Sequence, residues 1–109
     1  MPTVKEIFDA MPMAFNKEAA AGMNAVYQYD ITGEGGGKWY SAIKDGELTI
    51  AEGEHESPDI TLTMAAQDYI DMIAGTLNGQ MAFMSGKLKI AGNMGLAMKL
   101  NTLFKQPGQ

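Results

Sequence analysis

The stretch GKLKIAGNMGLAMKL, residues 86–100, joins two different periodicities. Leu88 and Ile90 alternate with Lys87 and Lys89, the two-residue repeat of a strand with one apolar face. Beyond Gly92 the period lengthens. Asn93 is a good N-cap, and Met94, Leu96, Ala97, Met98, Leu100, Leu103 and Phe104 follow at helical spacings. Leu96, Leu100 and Leu103 mark one stripe, which Met94, Ala97 and Met98 broaden well beyond the usual core-facing width. Such a helix needs apolar company on more than one side: a sheet, a neighbouring helix, a second chain, a membrane or a bound lipid.

Working outward, four more segments alternate in the same way. In NAVYQYDIT, residues 24–32, Ala25, Tyr27, Tyr29 and Ile31 oppose Gln28 and Asp30. In KWYSAIK, residues 38–44, Trp39, Ser41 and Ile43 share a face. Asp45-Gly46 is a strong hairpin signal leading into ELTIAEG, where Leu48 and Ile50 point inward. After the polar loop GEHESP, residues 53–58, Ile60, Leu62 and Met64 alternate with Asp59, Thr61 and Thr63. An all-parallel sheet buried on both sides would show continuous apolar runs instead. The expected fold is therefore α+β: a two-layer sandwich whose five-stranded, mostly antiparallel sheet has one wet face and one face covered by helices.

The covering helices are legible too. Val4, Ile7, Phe8, Met11 and Phe15 recur three and four apart, Thr3 and Glu6 form a capping box, and Pro12 is expected to kink or divide the helix. A further turn or two is expected over residues 17–22. AAQDYIDMIAGTL, residues 65–77, carries Tyr69, Ile70, Ile73 and Leu77 on one side, with Asp68 and Asp71 on the other. GQMAFMSG, residues 79–86, offers Met81, Phe83 and Met84 in a short segment between glycines.

A chain of 109 residues is expected to be one domain, residues 1–109. Its 13 acidic and 8 basic residues leave a net charge of -5, without long runs of one sign. Nucleic acid, which calls for a basic surface, is disfavoured. Strong electrostatic attachment to anionic membranes, which relies on clustered Lys and Arg, is disfavoured as well. With no cysteine there is neither a disulfide nor a zinc–thiolate site. The amphipathic, acid-bearing N-terminus does not read as a signal peptide, no apolar run is long enough to span a membrane, and the C-terminal KQPGQ is not a peroxisomal address. A cytoplasmic protein without stable membrane insertion is expected. Ten methionines are the compositional oddity, and this adaptable side chain suits irregular cores and surfaces that accept varied apolar partners.

The chemistry of catalysis is thin. His55 is alone among Glu52, Glu54 and Glu56 in a loop and reads as solvated, with no metal site around it. GEGGGK, residues 33–38, lacks the phosphate-loop spacing, since Thr32 stands where glycine is required and Trp39 follows the lysine. Asp68 and Asp71 lie on the polar side of a helix. No catalytic constellation, metal or cofactor is expected.

The segment GKLKIAGNMGLAMKLNTLFKQPG, residues 86–108, resembles the C-terminal signature of the sterol carrier protein type 2 domain family: a G-K-L-K-I strand and a G-N helix start after a short Phe-containing helix. The resemblance extends backward through GQMAFMSGKLKI, DITLTMAAQDYIDMIAGTLNG and GGGKWYSAIKDGELTI, to about Tyr27. It implies an apolar tunnel between sheet and helices that receives sterols, fatty acids, fatty acyl-CoA esters or phospholipids. It also implies that residues 94–104 and 80–84 form the tunnel wall and mouth, placing Gln80, Met81, Phe83 and Met84 there together with Met94, Ala97, Met98 and Leu100. Ile73 joins them from the preceding helix, and Trp39, Ile43 and Ile60 are expected at the floor. Some relatives place a Gln where this chain has Met98, which leaves Gln80 as the polar handle for a ligand headgroup. The lack of a peroxisomal address suits a free-standing microbial form.

The function that follows is non-enzymatic binding and transfer or presentation of lipids. Two alternatives stand beside it: an accessory domain delivering acyl-CoA substrates to a partner enzyme, and a structural domain whose C-terminal helix pairs with a second copy in a homodimer.

Overall fold

The computed structural model describes residues 3–104. The first two residues and the C-terminal KQPGQ, whose reading bears on targeting, lie outside the described residues. The elements run α1 (Val4–Ala14), β1 (Asn24–Thr32), β2 (Gly37–Lys44), β3 (Glu47–Glu52), β4 (Ile60–Ala65), α2 (Ala66–Ala74), α3 (Gly79–Met84), β5 (Leu88–Gly92) and α4 (Met94–Leu103).

The strands form one mixed sheet in the order β3-β2-β1-β4-β5. Only β1 and β4 pair in parallel, Tyr27 opposite Ile60 and Tyr29 opposite Leu62. The hairpin at Asp45-Gly46 sets β2 against β3, with both turn residues at positive φ as its tight reversal requires. Alternation along each strand delivers one buried face: Ala25, Tyr27, Tyr29 and Ile31 from β1, Trp39, Ser41 and Ile43 from β2, and Ile60, Leu62 and Met64 from β4.

The opposite face is not uniformly wet. Residues 53–59 carry the chain from β3 to β4 across β2 and β1, roughly 14 Å at ordinary strand spacing, and they lie on the sheet. Gln28, on the expected polar face, is buried beneath them, donating from Nε2 to the Gly53 carbonyl at 3.1 Å and accepting the His55 amide at Oε1 at 2.8 Å. His55 is correspondingly half-buried and meets the Tyr40 ring edge-on at 5.1 Å, where the sequence led us to expect a solvated loop. The cause is the parallel β1–β4 pairing, which forces this connection over the sheet and leaves Gln28 a buried amide to satisfy.

Asp59 ends that crossing and ties three elements together. Its Oδ2 accepts the Val26 amide at 2.8 Å, and its carbonyl accepts the Asn93 amide at 3.1 Å. Gly92 closes on it so tightly, at φ +110°, that a Cβ there would stand 2.5 Å from the Asp59 carbonyl oxygen. A side chain at that position would part β5 from β4.

Helix α1 begins at the expected capping box, with Thr3 Oγ1 accepting the Glu6 amide and Glu6 Oε1 accepting the Thr3 amide. Pro12 does not divide it: the proline removes the N–H that would bond the Phe8 carbonyl, yet the helix runs two residues further, to Ala14. Residues 17–22, expected to be helical, are a run of tight turns closed by bonds such as Met23 N–H to the Ala20 carbonyl at 2.9 Å. Asn16 N–H donates to the Leu103 carbonyl at 2.7 Å, so the ends of α1 and α4 meet.

Candidate functional site

The two halves of the sheet are covered differently. Over β2 and β1 lies α1, whose Phe8 stacks on Trp39 with ring centres 4.7 Å apart and on Tyr69 at 5.4 Å, and meets Tyr29 edge-on at 5.1 Å. These rings fill that half of the interlayer space. Over β1, β4 and β5 the cover is looser, and a cavity of about 810 Å³ remains between sheet and helices.

Its floor follows from strand alternation: Tyr29 and Ile31 from β1, Leu62 and Met64 from β4, Leu88 and Ile90 from β5. Tyr69, Met72 and Ile73 of α2 form one wall. That helix ends at Gly75, φ +87°, and the Thr76 and Leu77 amides both donate to the Asp71 carbonyl. The reversal swings Leu77 and Asn78 to the rim, where Asn78 Oδ1 caps α3 by accepting the Gln80 and Met81 amides. The far wall is α4, contributing Met94, Ala97, Met98 and Leu100, with Phe104 and Met11 closing the end nearest α1. Met98 lines the cavity and is nonetheless 76% exposed, so the cavity opens to solvent along α4.

Helix α4 is held at a few points. Asn93 Oδ1 caps it through the Gly95 amide at 2.9 Å, and the Tyr27 hydroxyl donates to the Leu96 carbonyl at 2.8 Å. Only Leu103 of its described side chains is fully buried, while Leu96, Ala97 and Leu100 are half-covered. The breadth of its apolar surface is thus unmatched by protein contact.

The polar groups in the lining are few. The Tyr29 hydroxyl shares a hydrogen bond of 3.2 Å with Ser41 Oγ. Burial pushes its ionisation upward, opposed by that bond and reinforced by Tyr27, and burial raises Tyr69 well above the ordinary tyrosine value in the same way. Both are neutral donors at any physiological pH. Asn78 and Gln80 stand at the rim. Among the described residues no group of three or more His, Cys, Asp or Glu side chains is placed to hold a metal ion, and no helix is long and apolar enough to cross a membrane.

Of the expected site residues, Ile73, Gln80, Phe83, Met94, Ala97, Met98 and Leu100 line this cavity. Trp39, Ile43 and Ile60 do not. Trp39 is walled off by its stack on Phe8, and Ile43 and Ile60, 2% and 1% exposed, belong to the closed core. Met81 and Met84 do not line it either. Helix α3 is six residues long and anchored through buried Ala82, so these side chains, three apart, face outward at 63% and 75% exposure. Sequence reasoning missed Met11, Tyr69 and Met72, as well as the floor positions of β1, β4 and β5. The inward alternation identified those floor residues as buried but did not say which strands lie under the gap.

The cavity is thus bounded by the fifth strand and an underfilled last helix. Residues 4–105 match the SCP-2 sterol transfer family. The chain belongs to that family. Among its relatives, hydroxysteroid dehydrogenase-like protein 2 of Xenopus laevis is 38% identical over 104 residues, 94% of this chain and 25% of that protein. Sterol carrier protein 2 of Gallus gallus is 41% identical over 90 residues, 80% of this chain and 16% of its own length. The SCP-2 chain described here therefore spans about a quarter or less of these relatives. The crystal structure of sterol carrier protein 2 like 2 from Aedes aegypti superposes with a TM-score of 0.70 at 26% identity, covering 89% of this chain and 88% of that one. The palmitated form of the same protein, solved in solution, gives 0.70 at 24% identity over 91% of each chain. The five-stranded sheet with its helical cover is the fold of these sterol carrier domains.

Proposed function

We propose that this chain is a lipid-binding module that lifts the acyl or ring portion of a lipid out of water into the cavity and carries or presents it, without catalysing a reaction on it. The observation that supports this reading above others is the cavity itself. Its volume of about 810 Å³ falls within the range of small-molecule sites, and its lining is mostly apolar with a few polar groups at one rim. A sixteen-carbon chain transferred there gains roughly 0.8 kcal/mol per buried methylene, about 12 kcal/mol in all. That offsets an association cost of roughly 4–15 kcal/mol. Methionines at Met64, Met72, Met94 and Met98 can repack around ligands of different shape, favouring breadth over selectivity. The related Aedes aegypti domain, solved in palmitated form, makes palmitate a natural first ligand to try. In this reading the carrier works in the cytoplasm, as the sequence led us to expect.

A second reading is supported by chain length. The hydroxysteroid dehydrogenase-like relatives carry this region as about a quarter of a longer protein, which suits a module that hands an acyl or sterol substrate to a separate catalytic unit. Both readings require the cavity to be occupied. Native mass spectrometry of the desalted chain with added palmitate is expected to show one lipid per chain. Empty protein at every palmitate concentration would overturn both.

A further inference from the structure

We infer that the lip formed by α3 and α4 is a docking surface for an anionic lipid bilayer, with Met81, Met84 and Met98 entering the interface and Lys87 and Lys99 facing lipid phosphates. Of the six large apolar side chains exposed among the described residues, five belong to this lip: Met81, Phe83 and Met84 on α3, Met94 and Met98 on α4. Such a cluster is more than scattered surface apolarity and marks an interaction site.

The charge pattern selects the partner. The last acidic residue of the chain is Asp71, so all 13 carboxylate side chains precede α3, and every ionisable side chain after it is a lysine. Lys87 follows α3 directly, its amide held by the Ala82 carbonyl at 2.8 Å, and Lys99 adjoins Met98 on α4. Both are exposed, and neither is ion-paired among the described residues. A net charge of -5, which on average disfavours anionic surfaces, thus conceals a stretch, residues 72–109, whose charged side chains are all lysines, with Asp59 beside Asn93 and Asp71 beside Thr76 and Leu77 the carboxylates that adjoin it from neighbouring elements. An apolar lip fringed by lysine fits anionic headgroups over acyl chains. The lip is also the open side of the cavity, so docking would set its mouth against the source of lipid. The proposal draws its purpose from the carrier reading, but the contact itself needs no cargo.

The test separates the two. Sedimentation of the full chain with vesicles of phosphatidylcholine alone, or with about a third phosphatidylglycerol, measures docking, while palmitate uptake by native mass spectrometry measures the cavity. Each lysine near an anionic surface contributes about fivefold. The variant K87Q/K99Q is therefore expected to bind mixed vesicles roughly thirtyfold more weakly, with palmitate uptake unchanged. The variant M81S/M84S, altered outside the cavity lining, is expected to weaken binding to both vesicle types. Wild-type protein that stays in the supernatant, or K87Q/K99Q that sediments like wild type, would overturn the proposal even if palmitate binds. So would a dimer in analytical ultracentrifugation that M81S/M84S dissolves while vesicle binding persists.

Discussion

The Tyr27 hydroxyl donates to the Leu96 carbonyl across a distance of 2.8 Å, joining the centre of the sheet to the first turn of the last helix. Tyr27 is fully buried in β1, while the two ends of α4 are tied by the Asn93 bond to Asp59 and the Leu103 bond to Asn16 and its middle is only half-covered. This bond therefore helps set how far the first turn of the cavity's outer wall stands from the sheet. Tyr27→Phe removes it with little change of volume, and the expected loss is about 1 kcal/mol. Thermal denaturation is expected to record a fall of ~4–8 °C. Lipid affinity is expected to change as well, because the wall it supports becomes looser.

The same tyrosine gives a pH dependence of known sign. Burial, with the charge of Asp59 adding to it, pushes Tyr27 from 10.0 up to about 12. A raised value means the folded state holds its proton more tightly than the unfolded chain does. The stabilisation is complete below pH 10 and is lost as pH rises from 10 towards 12. Tyr29 and Tyr69 are raised by burial too and act in the same direction. Melting temperature is expected to hold through neutral pH and fall above pH 10, with a shallower fall in Tyr27→Phe.

Met98 lines the cavity yet is largely exposed. Met98→Glu places a carboxylate at the mouth without burying it in the core. The expected change in stability is below about 0.5 kcal/mol, against a tenfold or greater weakening of palmitate binding by titration calorimetry. A large drop in melting temperature with unchanged affinity would mark Met98 as core.

Trp39 provides the converse test. Stacked on Phe8 and outside the cavity lining, it is expected to keep its emission maximum when palmitate is added, while Trp39→Phe retains lipid affinity. A clear shift on titration would mean that ligand reaches the half of the sheet beneath α1.

What the sequence made legible was local. Alternation identified the inward face of each strand, Asp45-Gly46 fixed the β2–β3 register, Thr3 and Glu6 located the start of α1, and the over-apolar breadth of α4 pointed to missing company. Strand order was not local. Inward strand positions, together with the family resemblance, offered Trp39, Ile43 and Ile60 as floor residues, whereas the gap opens over residues 29–31, 62–64 and 88–90, along the parallel pairing of β1 with β4 and beyond it on β5. That pairing also sent the loop carrying His55 across the sheet and buried Gln28. Nor did periodicity fix the facing of α3, since six residues make too little helix for a stripe to be read. The confinement of all acids to residues before α3 was visible in the sequence but hidden by counting net charge over the whole chain.

That lipid enters the space between α4 and the β1-β4-β5 floor is a claim on which the methionines report directly. With ε-¹³C-methionine labelling, palmitate added to one equivalent is expected to shift the methyl signals of Met11, Met64, Met72, Met94 and Met98, which line the cavity, while those of Met13, Met81 and Met84, exposed outside it, stay in place. Unchanged signals from the lining methionines, with shifts confined to the outer three, would contradict it.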